Sequence, residues 1–124
     1  MQIGDSFTWQ RTFTQEDIRT FARVSGDEGA HHVAPDAQGR LMVHGLLTAT
    51  LPTKIGGDLN YIAREMHFHF ERPVFAGDTI RIVLTATHVE QQPQMTLLDA
   101  EWVCTNQREQ IVMTGSSRGV IRNA

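Results

Sequence analysis

An acidic and a basic side chain, Asp27 and His32, lie five residues apart in a polar part of this sequence. A carboxylate and an imidazole on one loop can both contact a water molecule and exchange a proton with it, which is general acid–base catalysis. Each residue also has an ordinary explanation: an aspartate after Ser25-Gly26 commonly stabilises a turn, and a lone histidine is usually a surface or packed residue. The spacing alone therefore leaves both readings open.

A histidine and a glycine, His44 and Gly45, stand where an apolar stretch begins. The stretch HGLLTATLPTKI predicts a buried helix from His44 to Ile55. The first N–H groups of a helix lack partners within it and carry the positive end of its dipole. The amide of Gly45 is thus a candidate donor to a developing oxyanion, and a glycine lets a ligand approach closely. The alternatives are that Gly45 eases helix packing and that His44 is structural.

A pair of histidines further along the chain offers candidate metal ligands. His67 and His69 lie two apart on a predicted strand and could join His31, His32 or Asp36 as ligands. Solvation of a polar strand face is the simpler explanation, so we expect no metal and no cofactor. The sole cysteine, Cys104, is in phase with apolar neighbours and is expected to be an inert core residue.

The predicted elements that would position these residues change from mainly helices to strands near Gly56-Gly57. Before that point we predict a first strand from Phe7 to Phe13, a helix capped by Thr14 and Asp17 and ended by Ser25-Gly26, and a loop from Asp27 to Arg40. The glycine pair is expected to close the helix from His44 to Ile55, with a kink or an end at Pro52.

After that point apolar and polar residues alternate. One predicted strand carries Ile62, Met66, Phe68 and Phe70 on the same face, and three more follow, ending near Ile121. Antiparallel strands need an apolar element against one face, and the predicted buried helix is the only candidate. We therefore expect one α+β domain over residues 1–124, with a long antiparallel sheet wrapped around a central buried helix.

Three blocks of sequence carry a family resemblance: FARVSGDEGAHHVAPDAQGRLMVHG (21–45), VHGLL (43–47) and FERPVFAGDTI (70–80). Together they resemble MaoC-like dehydratases and R-specific enoyl-CoA hydratases, in which a helix ending in Ser-Gly-Asp leads into Asp-x-Asn-Pro-aliphatic-His. Gly29-Ala30 stands here in place of Asn-Pro, and His31 in place of the aliphatic residue. The loop chemistry is therefore altered.

The resemblance implies a hot-dog fold and reversible hydration of trans-2-enoyl-CoA to (R)-3-hydroxyacyl-CoA. It makes Asp27 and His32 the acid and base and the Gly45 amide the oxyanion donor. The predicted substrate contacts are His31, His44, Val43 and Arg40, with Lys54, Arg64 and Arg72 as further candidates for the charged carrier, which is CoA or an acyl carrier protein. His31 could instead point into solvent.

Two other functions remain open. Acyl-CoA hydrolysis would use the same helix amide with water attacking the thioester carbon. The replacement of Asn-Pro also leaves room for a non-catalytic acyl-CoA binding module. The resemblance further implies a homodimer or a higher homo-oligomer.

Composition narrows the partners and the compartment. The 124 residues carry 11 basic and 14 acidic side chains and a net charge of -3, which gives no reason to expect nucleic acid as a partner. No apolar run is long enough for a signal peptide or a membrane span, so we expect a cytoplasmic protein with no membrane partner.

Overall fold

The computed structural model describes residues 1–123, in which one strand is followed by four helices and then by four strands. In chain order they are β1 (Ser6–Thr12), α1 (Gln15–Ser25), α2 (Ala30–Val33), α3 (Gly45–Thr48), α4 (Thr50–Asp58), β2 (Tyr61–Phe70), β3 (Thr79–Gln91), β4 (Met95–Thr105) and β5 (Ile111–Arg122). Within this range, no helix has both the length and the apolar character needed to cross a membrane.

The five strands form one antiparallel sheet in the order β1-β3-β4-β5-β2. β1 and β2 are its edges. Residues of α3 and α4, among them Leu47, Leu51 and Ile55, join side chains of the central strands in one hydrophobic core. The predicted α+β arrangement of a long sheet against a central buried helix is confirmed.

Helix α1 has the ends that the sequence predicts. Thr14 accepts from the backbone N–H of Asp17, and the Asp17 carboxylate accepts in turn from the N–H of Thr14. Gly26 ends the helix with φ of 78°, a left-handed conformation that glycine adopts without strain. This end places Asp27 directly after the last turn.

The central helix differs from its predicted bounds. It begins at Gly45, is interrupted at Ala49, and continues as α4 through both Gly56 and Gly57 to Asp58. Pro52 lies in the first turn of α4, where the missing N–H of proline costs no helical hydrogen bond. The interruption of the helix is at Ala49, about one turn before the predicted position at Pro52. The prediction that the glycine pair closes the helix was wrong: the chain turns at Asn60, whose φ is 56°.

The loop predicted from Asp27 to Arg40 contains a short helix, α2. Its four residues, Ala30–Val33, include His32, whose side chain is buried. The prediction of a continuous loop was therefore wrong for this segment. The turn of helix carries His32 inward while leaving His31 exposed.

Strand β2 contains an irregularity that the alternation pattern did not reveal. Its pairing with β5 shifts register between Ala63 and Glu65. Such a bulge reverses which side chains face the core on one side of it. Tyr61 and Ala63 therefore share the inner face with Met66, whereas Ile62 is 46% exposed. The prediction that Ile62 shares a face with Met66 was wrong.

Candidate active site

The end of α1 and the short helix α2 bring Asp27 and His32 together. Oδ2 of Asp27 lies 3.7 Å from Nε2 of His32. That separation is too long for a direct hydrogen bond, but one water molecule can contact both atoms. The His32 side chain is 6% exposed and that of Asp27 is 55% exposed. The pair is thus half sheltered, with its carboxylate accessible from outside.

The orientation of His32 is fixed by a backbone carbonyl. Its Nδ1 lies 2.7 Å from the carbonyl oxygen of Met42. Because a carbonyl can only accept, Nδ1 carries the donated proton and Nε2 faces Asp27. The Met42 segment is itself held, since the Met42 N–H donates to the carbonyl of His31. The imidazole therefore presents the nitrogen that can exchange a proton with a bound water.

The carboxylate of Asp27 is held by the loop that follows it. The backbone N–H of Gly29 donates to Oδ1 at 3.1 Å, and the N–H of Asp27 donates to Ser25 Oγ at 3.0 Å. The hydrogen bond from Gly29, helped by the neighbouring His32, keeps the pKa of Asp27 below its ordinary value of 3.8. Asp27 is therefore a carboxylate at neutral pH.

His44 contacts both members of the pair. It is 2% exposed, its Nε2 donates to the backbone carbonyl of Asp27 at 2.9 Å, and its ring stacks on that of His32. The ring of Phe21 packs against His44 at a centroid distance of 4.8 Å. Within residues 1–123, Nδ1 of His44 is buried without a hydrogen-bond partner. This histidine, predicted to contact substrate, packs behind the pair.

A cleft of about 350 Å³ opens beside His32, and α3 begins in its wall. The ring of Phe70 lies against Gly45, where a Cβ would come within 3.1 Å of it. A side chain at position 45 would thus have to displace that ring. The cleft-lining residues include four of the predicted site residues together with Phe70 and Arg72: His31, His32, Val43, Gly45, Phe70 and Arg72.

The predicted cation Arg40 lies outside that lining. Its Nε donates to Asp36 at 2.9 Å and its guanidinium lies 4.0 Å from the ring centroid of Phe75. Arg72 lines the cleft instead, and it donates to the carbonyl of Ile111. Sequence reasoning had included Arg72 only among several candidates, because spacing along the chain does not report which arginine reaches a cleft.

Within residues 1–123, one group of histidine and aspartate side chains is close enough together to be considered as a metal site. Asp27, His32 and His44 each offer a ligand atom, all within 4.8 Å of one another. The imidazoles of His32 and His44 stack at an interplanar angle of 17°, so their in-plane lone pairs do not converge as metal ligands require. His67 and His69 are exposed, and each pairs with a nearby glutamate.

Comparison with known proteins identifies a family model and a relative that match this sequence. Residues 2–106 match the family model described as MaoC like domain. A mitochondrial 3-hydroxyacyl-[acyl-carrier-protein] dehydratase of Arabidopsis thaliana is 26% identical over 133 residues, covering 99% of this chain and 79% of that protein.

Two solved structures share the fold over nearly the whole chain. The (R)-hydratase of A. caviae superimposes with a TM-score of 0.82 at 24% identity, covering 98% of this chain and 96% of its own. An Archaeoglobus protein described as a monoamine oxidase regulatory protein gives 0.83 at 24% identity, covering 100% and 92%. With its hot-dog architecture and a family match over most of its length, the chain belongs to the MaoC-like domain family.

Proposed function

We propose that this protein catalyses reversible addition of water to a trans-2-enoyl thioester, giving an (R)-3-hydroxyacyl thioester. The observation that carries the proposal is the separation of 3.7 Å between Asp27 Oδ2 and His32 Nε2, beside a cleft into which the amino end of α3 opens. Family membership supports a lyase of the hydratase or dehydratase kind.

The chemistry requires a proton to leave water as its oxygen bonds to the β-carbon. Two groups face the position of that water: the ionised carboxylate of Asp27 and Nε2 of His32. One takes the proton, the pair returns a proton to the α-carbon, and the C=C π bond is lost. General acid–base catalysis of this kind contributes about 100- to 10,000-fold.

Negative charge gathers on the thioester oxygen as water adds. The first amide of α3, that of Gly45, points out of the helix and has no partner within it. It lines the same cleft as His32 and is positioned to donate to that oxygen. One such donor contributes about 100- to 1,000-fold in other enzymes. Arg72 lines this cleft, and its guanidinium is proposed to bind the charged carrier, which is CoA or an acyl carrier protein.

Loss of absorbance from crotonyl-CoA and longer enoyl-CoAs tests the proposal. We expect Asp27→Asn and His32→Ala each to reduce turnover by about 100-fold or more. His88→Ala is the matched control, because His88 is 53% exposed on β3, does not line the cleft and should leave the rate unchanged. Absence of wild-type turnover at every chain length would overturn the assignment, as would full activity of both variants.

The same reaction mixtures separate the alternatives. Release of free thiol without loss of the enoyl absorbance would identify a thioesterase. Calorimetric binding of an acyl-CoA without any reaction would identify a binding module. Parallel assays with acyl carrier protein thioesters decide the carrier.

We also propose that the protein forms a homodimer through β2. This strand is an edge of the sheet, and Ile62 and Phe70 on it are 46% and 50% exposed. Leu46, beside the cleft on α3, is 63% exposed. An unpaired strand edge next to exposed apolar side chains is a surface on which a second copy can pair its own edge. Such a contact would also cover the cleft near Phe70.

A further inference from the structure

The short helix α2 places a second imidazole, that of His31, next to His32. The centroids of the two rings lie 3.9 Å apart, and their planes are inclined by 53°. The side chain of His31 is exposed, whereas that of His32 is 6% exposed. His31 also lines the cleft. A ring that faces solvent is therefore in contact with the buried member of the candidate acid–base pair.

The two imidazoles that contact His32 lie on opposite sides of its ring. The ring of His44 is stacked nearly parallel on one face, with 3.8 Å between the centroids. A second ring whose centroid is equally close cannot share that face, because non-bonded ring atoms need about 3.5 Å between them. His31 therefore covers the other face, and His32 is enclosed between an inner and an outer imidazole.

The position of the His31 ring depends on the absence of a side chain at residue 29. A Cβ on Gly29 would lie 3.0 Å from Cε1 and 3.5 Å from Nδ1 of His31, and 3.4 Å from Oδ1 of Asp27. Two carbon atoms 3.0 Å apart are well inside their ordinary separation of about 3.5–4.0 Å. The imidazole of His31 thus fills the space that a side chain of residue 29 would occupy, beside the Asp27 carboxylate.

The backbone at Gly29 does not itself require a glycine. Gly29 has φ of -53° and ψ of 145°, a conformation that other residues adopt without strain. Its N–H donates to Oδ1 of Asp27, and any residue except proline carries that donor. The neighbouring ring is therefore the feature that calls for a glycine here. Because the motif that this segment resembles has asparagine at position 29 and an aliphatic residue at position 31, its two departures, Gly29 and His31, form one structural unit.

We propose that His31 is a positioning residue of the candidate active site, whose ring, seated over Gly29, confines the imidazole of His32. Proton transfer requires heavy-atom distances of about 2.6–3.2 Å, so a small rotation of the His32 ring would take Nε2 out of reach of the shared water. The hydrogen bond from Nδ1 to the Met42 carbonyl holds one atom of that ring, and the contacts on both faces hold its plane. The effect on turnover rests on the proposed function, whereas the enclosure of His32 does not.

Chemical modification tests the enclosure of His32 without requiring catalysis. Diethyl pyrocarbonate acylates accessible neutral imidazoles, and digestion followed by mass spectrometry assigns each modified histidine. We expect His32 to be modified several-fold faster in His31→Ala than in His31→Phe, because phenylalanine keeps a ring over it. His88 is the internal reference in both variants, since it is 53% exposed on β3 and does not line the cleft. Equal rates for His32 in the two variants overturn the proposal.

Turnover of crotonyl-CoA tests the consequence for the reaction. His31→Ala is expected to lower kcat by about 10- to 100-fold, and His31→Phe is expected to restore it to within a few-fold of the wild type. A residue that only bound the substrate would instead raise KM and leave kcat unchanged. Val33→Ala is the matched control, because Val33 is 53% exposed on the same short helix and does not line the cleft. Wild-type kcat in His31→Ala, or no recovery in His31→Phe, contradicts the positioning role.

A double-mutant cycle tests the dependence of His31 on Gly29. The methyl group added in Gly29→Ala meets the ring of His31 and should lower kcat by a similar factor. In the His31→Ala background that ring is absent, so the same methyl group should have little further effect. Non-additivity of this kind shows that two residues act through one contact. Independent effects of the two substitutions, which multiply in the double variant, would contradict the link between these residues.

These variants are expected to fold, because His31 is exposed and the backbone at residue 29 suits alanine. Circular dichroism checks this expectation for each variant. The two proposals fail separately. If no enoyl thioester is turned over, the modification rates still decide whether His31 encloses His32. If the wild type is active and His32 is modified equally in both variants, only the positioning role fails.

Discussion

The imidazole of His44 lies parallel to that of His32, with 3.8 Å between the ring centroids and 17° between the planes. The same side chain donates through Nε2 to the backbone carbonyl of Asp27. One buried residue thus touches the ring of one member of the candidate pair and the backbone of the other. Any displacement of His44 should change the distance between Asp27 and His32.

This relationship gives different expectations for two substitutions of His44. His44→Phe keeps a stacking ring and loses the hydrogen bond to Asp27, so the free energy of unfolding should fall by about 1 kcal/mol. His44→Ala also removes a buried ring, and the loss should reach about 2–5 kcal/mol. Denaturant titration measures both.

Kinetics of the His44→Phe variant distinguish a positioning role of His44 from simple packing. If His44 positions the pair, kcat falls in His44→Phe while KM for crotonyl-CoA changes little, because the cleft lining is intact. Wild-type kcat in a His44→Phe protein that has lost the hydrogen bond would show that the contact with Asp27 does not serve catalysis.

The lowered pKa of Asp27 predicts a pH dependence of stability. The folded state holds the proton of this carboxyl less tightly than the unfolded chain does, because Gly29 donates a hydrogen bond to the ionised form. Its ionisation therefore stabilises the fold above the ordinary pKa of 3.8, and this contribution is lost as the pH falls through the lowered folded value.

Asp27→Asn removes that titration. The difference in unfolding free energy between wild type and Asp27→Asn should be larger at neutral pH than at about pH 3, which lies below the ordinary pKa of 3.8. Urea titrations at the two pH values measure it. A difference that grows towards acid would have the wrong sign for a carboxylate stabilised in the folded state.

Cys104 should be unreactive in the folded protein. It is 0% exposed in the core, and burial raises the pKa of its thiol from 9.0 to about 12. Since the thiolate is the reactive form, an aromatic disulfide reagent at mildly alkaline pH should modify no thiol in the native protein and one after denaturation. Rapid modification of the native protein would contradict the packing described for β4.

The proposed dimer can be tested at Ile62. Because this side chain is 46% exposed on the edge strand, Ile62→Lys should leave the fold of a single chain intact while placing a charge in the expected contact. Light scattering after size-exclusion chromatography should show a dimer for the wild type and a monomer for the variant. His88→Lys is the control, because His88 is exposed on β3, away from the β2 edge, and this variant should stay dimeric. A wild-type monomer would contradict the assembly.

Sequence patterns predicted those features that depend on neighbouring residues. The cap of α1 by Thr14 and Asp17 and its end at Gly26 depend on contacts within a few positions, and both are present. The alternation along β3 and β4 likewise marks one face of each strand, and it was enough to predict a sheet against a buried helix. Asp27 and His32 were singled out by the family resemblance of residues 21–45, since their spacing alone left both readings open.

Tertiary structure decided what depends on contacts between distant segments. The bulge at Ala63 and Glu65 arises from the pairing of β2 with β5, and the single-strand pattern assigned Ile62 to the wrong face. The stacking of His44 on His32 needs the start of α3 to pack beside α2. The contact of the Phe70 ring with Gly45 likewise needs the end of β2 to lie beside the start of α3, which local residue order does not encode.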